Sequence, residues 1–304
     1  MLARLQRFTT LGLLAAALLW AGWHWHADRP GWALAGALCI VFGHAVVLGF
    51  EFGLMHRVNA GDAAPRASNG ELLRAWWGEV WSAPAVFCWR QPFRSDVWPD
   101  LLPDPSPAPS GQRGLLLVHG FICNRGVWNP WLKRLRALGV PHVAVNLEPV
   151  FGSIDDYVPA IEAAVRRLEA ATGLSPVVVA HSMGGLALRR WAVSAGALAR
   201  LHHVVTLGSP HQGTWLARVA MSPNGRQMRL HGRWLRALAA REPATLGRQF
   251  TCFYGHCDNI VFPASAALLP GARALHLPGV AHVQMVDRPE PWAETLRWLA
   301  VDPR

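Results

Sequence analysis

Pro176-Val177-Val178-Val179-Ala180-His181-Ser182-Met183-Gly184-Gly185 is the stretch that decides the fold. An apolar run leads into small residues around a serine, and a helix-like stretch follows from Leu186 to Ala195. Buried strand, sharp turn and helix together hold a serine hydroxyl clear of the sheet edge. Such a turn leaves no room for bulk on either side, and Ala180 and Gly184 flank Ser182 where small residues are needed. A helix-capping serine is the bland alternative. The sharper expectation is that Ser182 is a nucleophile, which then requires an acid, a base and two backbone donors elsewhere in the chain.

On this kind of turn the partners follow in the order serine, acid, histidine. Among the downstream histidines, His282 is the best base. It sits in the turn Leu277-Pro278-Gly279-Val280-Ala281-His282 after a short strand. Asp258 is the one aspartate between Ser182 and His282, and Glu242 the one glutamate, on a basic helical stretch. Asp258 ends the strand Phe250–Gly255 and enters a loop, where an open parallel sheet presents its ligand-facing groups. The expected roles are nucleophile for Ser182, base and then acid for His282, and orienting carboxylate for Asp258. A second apolar strand, Leu115–Val118, ends in His119-Gly120-Phe121. The backbone N–H groups of Phe121 and Met183 are the expected oxyanion donors, and Gly120 permits close approach of the loop. His119 is expected to hold that loop by a hydrogen bond, as part of the site wall.

A further segment, Gly208-Ser209-Pro210-His211-Gln212-Gly213-Thr214, follows the strand His203–Thr206. With His119–Phe121, Ala180–Gly185, Asp258–Pro263 and Gly279–His282, the chain resembles bacterial triacylglycerol lipases and esterases of the α/β-hydrolase superfamily over about residues 112–300. The resemblance implies an α/β-hydrolase fold, the Ser182–Asp258–His282 triad and cleavage of carboxylic esters through an acyl-enzyme. It implies no cofactor and does not fix the substrate. His211 follows the nucleophile but precedes the acid, so it fits the site wall better than the base.

Apolar runs alternate with helical stretches from residue 115 on: Leu115–Val118, His142–Asn146, Val177–Ala180, His203–Leu207, Gln249–Tyr254 and Ala272–Leu277. Continuous apolar strands separated by helices predict a mainly parallel sheet covered on both faces. Ser153 caps a predicted helix to about Thr172, so Asp155 and Asp156 read as first-turn acids rather than catalytic groups. The last helix is expected over about Pro291–Ala300.

In the 304 residues the formal charge is +10, and Lys133 is the one lysine. No nucleic-acid motif accompanies this charge, which reads as membrane-facing or as plain composition. The N-terminus agrees with the first. Thr9–Ala27 and Pro30–Phe50 each lack Asp, Glu, Lys and Arg, and each is long enough to cross a bilayer. Trp20, Trp23, Trp25 and Trp32 gather at the turn between them, as an interfacial aromatic belt does. A two-span hairpin over 1–55 is therefore expected; the alternative for the first stretch, a cleaved signal peptide, lacks a small-residue cleavage site. Arg4, Arg7, His56, Arg57 and Arg66 flank the open end, outnumbering Arg29 in the turn, which puts both ends and the hydrolase on the cytoplasmic side of the inner membrane. Five cysteines form no disulfide framework or metal-ligand spacing, although pairing of Cys252 with Cys257 stays open.

Residues 56–112 connect this anchor to the catalytic domain at 113–304. Ser68-Asn69-Gly70-Glu71 has capping-box spacing. Leu72, Leu73, Trp76, Trp77, Val80 and Trp81 form a helical stripe, suited either to the headgroup region or to packing on the hydrolase. Pro99, Pro103, Pro105, Pro107 and Pro109 predict an extended linker. Residues 214–248 are long enough either to cap the site or to be an ordinary helix and loop. The function expected is a membrane-anchored serine ester hydrolase acting on acyl esters or lipids, without metal or cofactor. An acyltransferase on the same fold is the first alternative, and a non-catalytic tethered binding protein the second.

Overall fold

The computed structural model describes residues 1–104, 109–194 and 197–300. Pro105 and Pro107 of the linker, and Ala195 at the expected helix end, lie outside the described residues. Helix α1 (Leu2–His26) and helix α2 (Pro30–Asn59) pack side by side, with the Trp20 indole donating to the Trp32 carbonyl at 2.8 Å near the turn. Both helices are long and apolar enough to cross a membrane. Most of their apolar side chains are exposed, Trp23, Trp25 and Trp32 among them. Helix α3 (Asn69–Pro84) starts at a capping box: Ser68 accepts from the Glu71 N–H while Glu71 accepts from Ser68. It runs through a wider π-type turn, Ala85–Arg90, into the short α4 (Gln91–Arg94).

Six strands follow: β1 (Leu115–Val118), β2 (His142–Ala144), β3 (Val177–His181), β4 (His203–Leu207), β5 (Phe250–Tyr254) and β6 (Arg273–His276). They form one fully parallel sheet in the order β2-β1-β3-β4-β5-β6. All six apolar runs become strands; β1 to β4 are buried along their whole length, as strands covered on both faces are, while the edge strand β6 is exposed or half-buried. Alternation along β1 and β3 divides the interior. Leu116, Val118, Val178 and Ala180 pack on one face beneath α6 (Val158–Thr172) and α7 (Met183–Ala192); Leu115, Leu117, Val177 and Val179 pack on the other with α5 (Asn129–Ala137) and α10 (Pro289–Leu299). The helix after Ser182 begins at Met183 rather than Leu186, since glycines at 184 and 185 let it pack directly on the sheet: a Cβ at Gly184 would stand 2.6 Å from the carbonyl oxygens of Val118 and His119.

The residues between β4 and β5 hold two short helices, α8 (Pro223–Gln227) and α9 (Arg233–Ala239). They are tied to the loop after β2: Asn224 donates to the Val150 carbonyl at 2.8 Å, and Gln227 Oε1 accepts from Ile154 N–H at 2.7 Å. Glu242, beyond α9, forms a fork-shaped pair with Arg189 of α7 at 2.7 and 2.8 Å, both side chains nearly fully buried. Glu242→Ala would strand the Arg189 charge in the interior. The expected loss is about 3–5 kcal/mol, read as a melting temperature lower by roughly 6–20 °C. A shift under 1 °C would show that Arg189 finds water or another partner.

Candidate active site

The strand order reverses between β1 and β3, and at such a switch point an open parallel sheet forms its ligand crevice beyond the carboxyl ends of the strands. Ser182 stands there, directly after β3, with φ 55° and ψ −131°. A residue with a Cβ is strained in that region, by of order 1–3 kcal/mol, and the surroundings hold it: Ser182 N–H donates to the Leu207 carbonyl at 2.9 Å. The loop after β1 lies against the serine. A Cβ at Gly120 would be 2.6 Å from Ser182 Cβ and 3.2 Å from Ser182 Oγ. Phe121 follows in that loop, and Met183 opens α7, so its N–H is among those a helix leaves without an internal partner. Ile122 has φ 53°, an unusual conformation for a β-branched residue and a second strained point beside the serine.

Asp258 and His282 form a buried pair. His282 Nδ1 lies 2.9 and 3.0 Å from the two Asp258 carboxylate oxygens. Asp258 Oδ1 also accepts the Ile260 and Val261 N–H groups at 2.9 and 2.8 Å, which fixes the carboxylate plane. Gly208, at φ 53°, separates this pair from the end of β4; a Cβ there would be 2.8 Å from Asp258 Oδ2 and 3.1 Å from His282 Nδ1. Burial disfavours the charged imidazolium of His282, but the Asp258 charge and hydrogen bond outweigh it, with help from Glu79 and Glu51, and its pKa is raised.

Three other histidines are neutral supports. His119 Nε2 accepts the Leu147 N–H at 2.9 Å, so the ring proton sits on Nδ1, 2.9 Å from the Gly120 carbonyl; burial lowers the pKa to about 4. This is the loop-holding bond expected of it. His211 bonds Thr206 through Nε2 at 3.1 Å, its carbonyl accepts from Arg189 at 2.6 Å, and burial keeps its pKa well below the ordinary value. Among the described residues none of its hydrogen bonds reaches Ser182, Asp258 or His282. His181, for which the sequence suggested no role, tilts against His282 with ring centroids 4.6 Å apart and donates through Nε2 to the His282 carbonyl at 3.2 Å. Burial, then the nearby His282, holds its pKa far down.

Residues outside the sheet also reach the site. Asn259 Oδ1 accepts the His282 N–H at 3.3 Å, and Asn259 Nδ2 donates to Glu51 of α2 at 2.8 Å. Glu79 of α3 accepts the Val283 N–H at 3.0 Å. Phe52, Met55, Ala75, Cys257, Phe262 and Ala281 form a small core between these helices and the loops that carry Asp258 and His282. The α3 stripe therefore divides. Leu72 and Trp76 pack into this core and Val80 is buried, whereas Leu73, Trp77 and Trp81 are exposed. The five cysteines are free, Cys252 and Cys257 included, and among the described residues no cluster suits a metal ion.

Solved structures share this architecture. A mature Bacillus licheniformis lipase, BlEst2, is 18% identical, with a TM-score of 0.56 over 64% of this chain and 96% of its own. Aspergillus fumigatus lipase B is 19% identical, with a TM-score of 0.53 over 63% of this chain and 53% of its own. Likeness at this identity is one of fold. Among curated proteins none matches. The model of the alpha/beta hydrolase family matches residues 115–302, more than half of the sequence, and covers the sheet together with Ser182, Asp258 and His282, while Glu51 and Glu79 lie outside it. The chain belongs to the alpha/beta hydrolase family.

Proposed function

We propose that this protein is a membrane-anchored serine ester hydrolase acting on acyl esters of lipids. Ser182 Oγ attacks the acyl carbonyl while His282 Nε2 takes its proton. Asp258 holds the imidazole with its proton on Nδ1 and stabilises the imidazolium. The N–H groups of Phe121 and Met183 receive the oxyanion. His282 then protonates the departing alcohol, and water, activated by the same histidine, releases the acyl group from Ser182. The observation that carries this reading is the buried Asp258–His282 pair in chain order behind a serine strained at φ 55° and pressed against the loop after β1.

Lipid as the substrate follows from how the apolar helices meet the hydrolase. Near the start of α1, Gln6 lies against the Ile122 carbonyl and bonds Gln91 at 2.9 Å. Near the end of α2, Glu51 bonds Asn259, and Asn59 accepts the Ala264 N–H at 3.1 Å. Both contacts fall on the strand-end side that carries Ser182, Asp258 and His282. A bilayer spanned by this hairpin would meet the protein on that side. Ile122, Phe151, Val219 and Met221 expose apolar side chains on loops of that side.

Hydrolysis of p-nitrophenyl esters from acetate to palmitate by detergent-purified protein, together with fluorophosphonate labelling, tests the reading. Labelling with turnover of the longer esters supports it. A folded protein that neither labels nor hydrolyses overturns it, and labelling without hydrolysis points to an acyl acceptor other than water. The positive-inside balance puts the catalytic domain in the cytoplasm. A C-terminal alkaline phosphatase fusion should accordingly be silent and a C-terminal green fluorescent fusion bright; the reverse pattern overturns that orientation.

A further inference from the structure

We propose that Glu79, on a helix outside the hydrolase sheet, is a positioning residue for the base: it fixes the turn that carries His282 and supplies a second anion facing the imidazole. The inference rests on the Ser182–Asp258–His282 reading. Helix α3 lies along the base loop at helical spacing. Glu71 stands 3.3 Å from His256 and beside Gly279, Ala75 packs with Ala281, and Gly78 faces Gln284, which accepts the Ala281 N–H at 3.0 Å. Glu79 completes the row by taking the N–H of Val283, the residue directly after the base, at 3.0 Å.

The side chain is 1% exposed, and its Oε2 is buried without a partner. A glutamine would satisfy the same Val283 N–H without the penalty of burying a charge. What a carboxylate adds is its charge, and the groups facing it are His282 and Asp258. His282 in turn is faced by Asp258, Glu79, Glu51 and His181. Burial, opposed by the Val283 bond and by His282, pushes the Glu79 pKa up to about 7, so its charge is present above neutrality and fades below it. When ionised, Glu79 favours the imidazolium that forms as Ser182 is deprotonated. The base of this enzyme is thus completed by the N-terminal helices: Glu79 of α3 through the Val283 N–H, and Glu51 of α2 through Asn259 and the His282 N–H.

The test uses the full-length chain in detergent or nanodiscs, with kcat, KM and the pH profile measured on one p-nitrophenyl ester. Glu79→Gln keeps an acceptor for Val283 and removes the charge. Its kcat should fall roughly tenfold with KM within about twofold. Its acid limb should move to lower pH, because a lost anion lowers the His282 pKa, and Ser182 should still label with fluorophosphonate. Glu79→Asp keeps the charge and should hold the acid limb in place at reduced kcat. An E79Q protein with unchanged kcat and an unmoved limb overturns the proposal while leaving the triad intact. So does an E79D protein whose acid limb leaves the wild-type position for lower pH, and this comparison with wild type decides the matter should E79Q fail to fold. Wild-type protein that neither labels nor turns over would bring down the triad and this inference together.

Discussion

Ser182→Ala is expected to lower ester turnover by about 10⁶-fold and leave the melting temperature unchanged. The size follows from what remains. Without Oγ there is no acyl-enzyme, and the residual rate comes from binding and the oxyanion donors acting on water. The fold should not notice the change. The contact that holds residue 182 in place is its N–H bond to the Leu207 carbonyl, which alanine keeps. Alanine also keeps the Cβ, and with it the strain at φ 55°. Ser182→Gly is the informative companion. It should be equally inactive yet more stable by of order 1–3 kcal/mol, because glycine adopts positive φ freely. Stopped-assay hydrolysis beside fluorophosphonate labelling reads the first effect, and thermal unfolding the second. Ser182→Ala retaining more than a tenth of wild-type turnover would remove Ser182 from the mechanism.

The sheet and the chain order of the site were legible because both depend on local pattern. A strand buried on both faces can only be apolar, so Leu115–Val118 and Val177–Ala180 declare themselves. Ser68 and Ser153 mark helix starts through side chains that bond backbone two or three residues away. Asp258 was reachable because no other aspartate lies between Ser182 and His282. What stayed hidden depends on contacts far apart in the chain. Glu79 and Val283 are 204 residues apart, and Glu51 and Asn259 are 208. In sequence, Glu79 sits inside a tryptophan-rich stripe whose apolar spacing drew the attention. The signal available was the complementary row of Glu71, Ala75, Gly78 and Glu79, with two small residues where the helix lies close to the Ala281–Gln284 turn and an acid that no neighbouring base accompanies. The stripe itself could not say which of its tryptophans meet protein. Trp76 is held by its indole bond to the Ala45 carbonyl at 2.9 Å, a contact with a helix that hydropathy had assigned to the bilayer.

Asp258→Asn should lower kcat by about 10⁴-fold, and the reason lies in which way the amide must face. Asp258 Oδ1 accepts two backbone N–H groups, from Ile260 and Val261. An amide NH₂ directed at those two donors would leave both without an acceptor, so the asparagine oxygen must take that side. The NH₂ then faces His282 Nδ1, where the carboxylate stood at about 3 Å. The oxygen kept on the Oδ1 side, 2.9 Å from Nδ1, can still accept there, but the NH₂ donor at the Oδ2 place favours an accepting Nδ1, which moves the ring proton to Nε2, and an Nε2 that already carries a proton cannot deprotonate Ser182. The pH profile carries the same logic. In the wild-type protein the imidazole must be neutral to act as base, so activity is lost as pH falls through the raised His282 pKa. Removing the Asp258 charge lowers that pKa, and the weak residual activity should persist to lower pH than in wild type. Fluorophosphonate labelling should slow in parallel with kcat, since both need Ser182 deprotonated. A loss of less than tenfold, with the acid limb in place, would show that another carboxylate orients His282, and Glu79 would then be the group to examine.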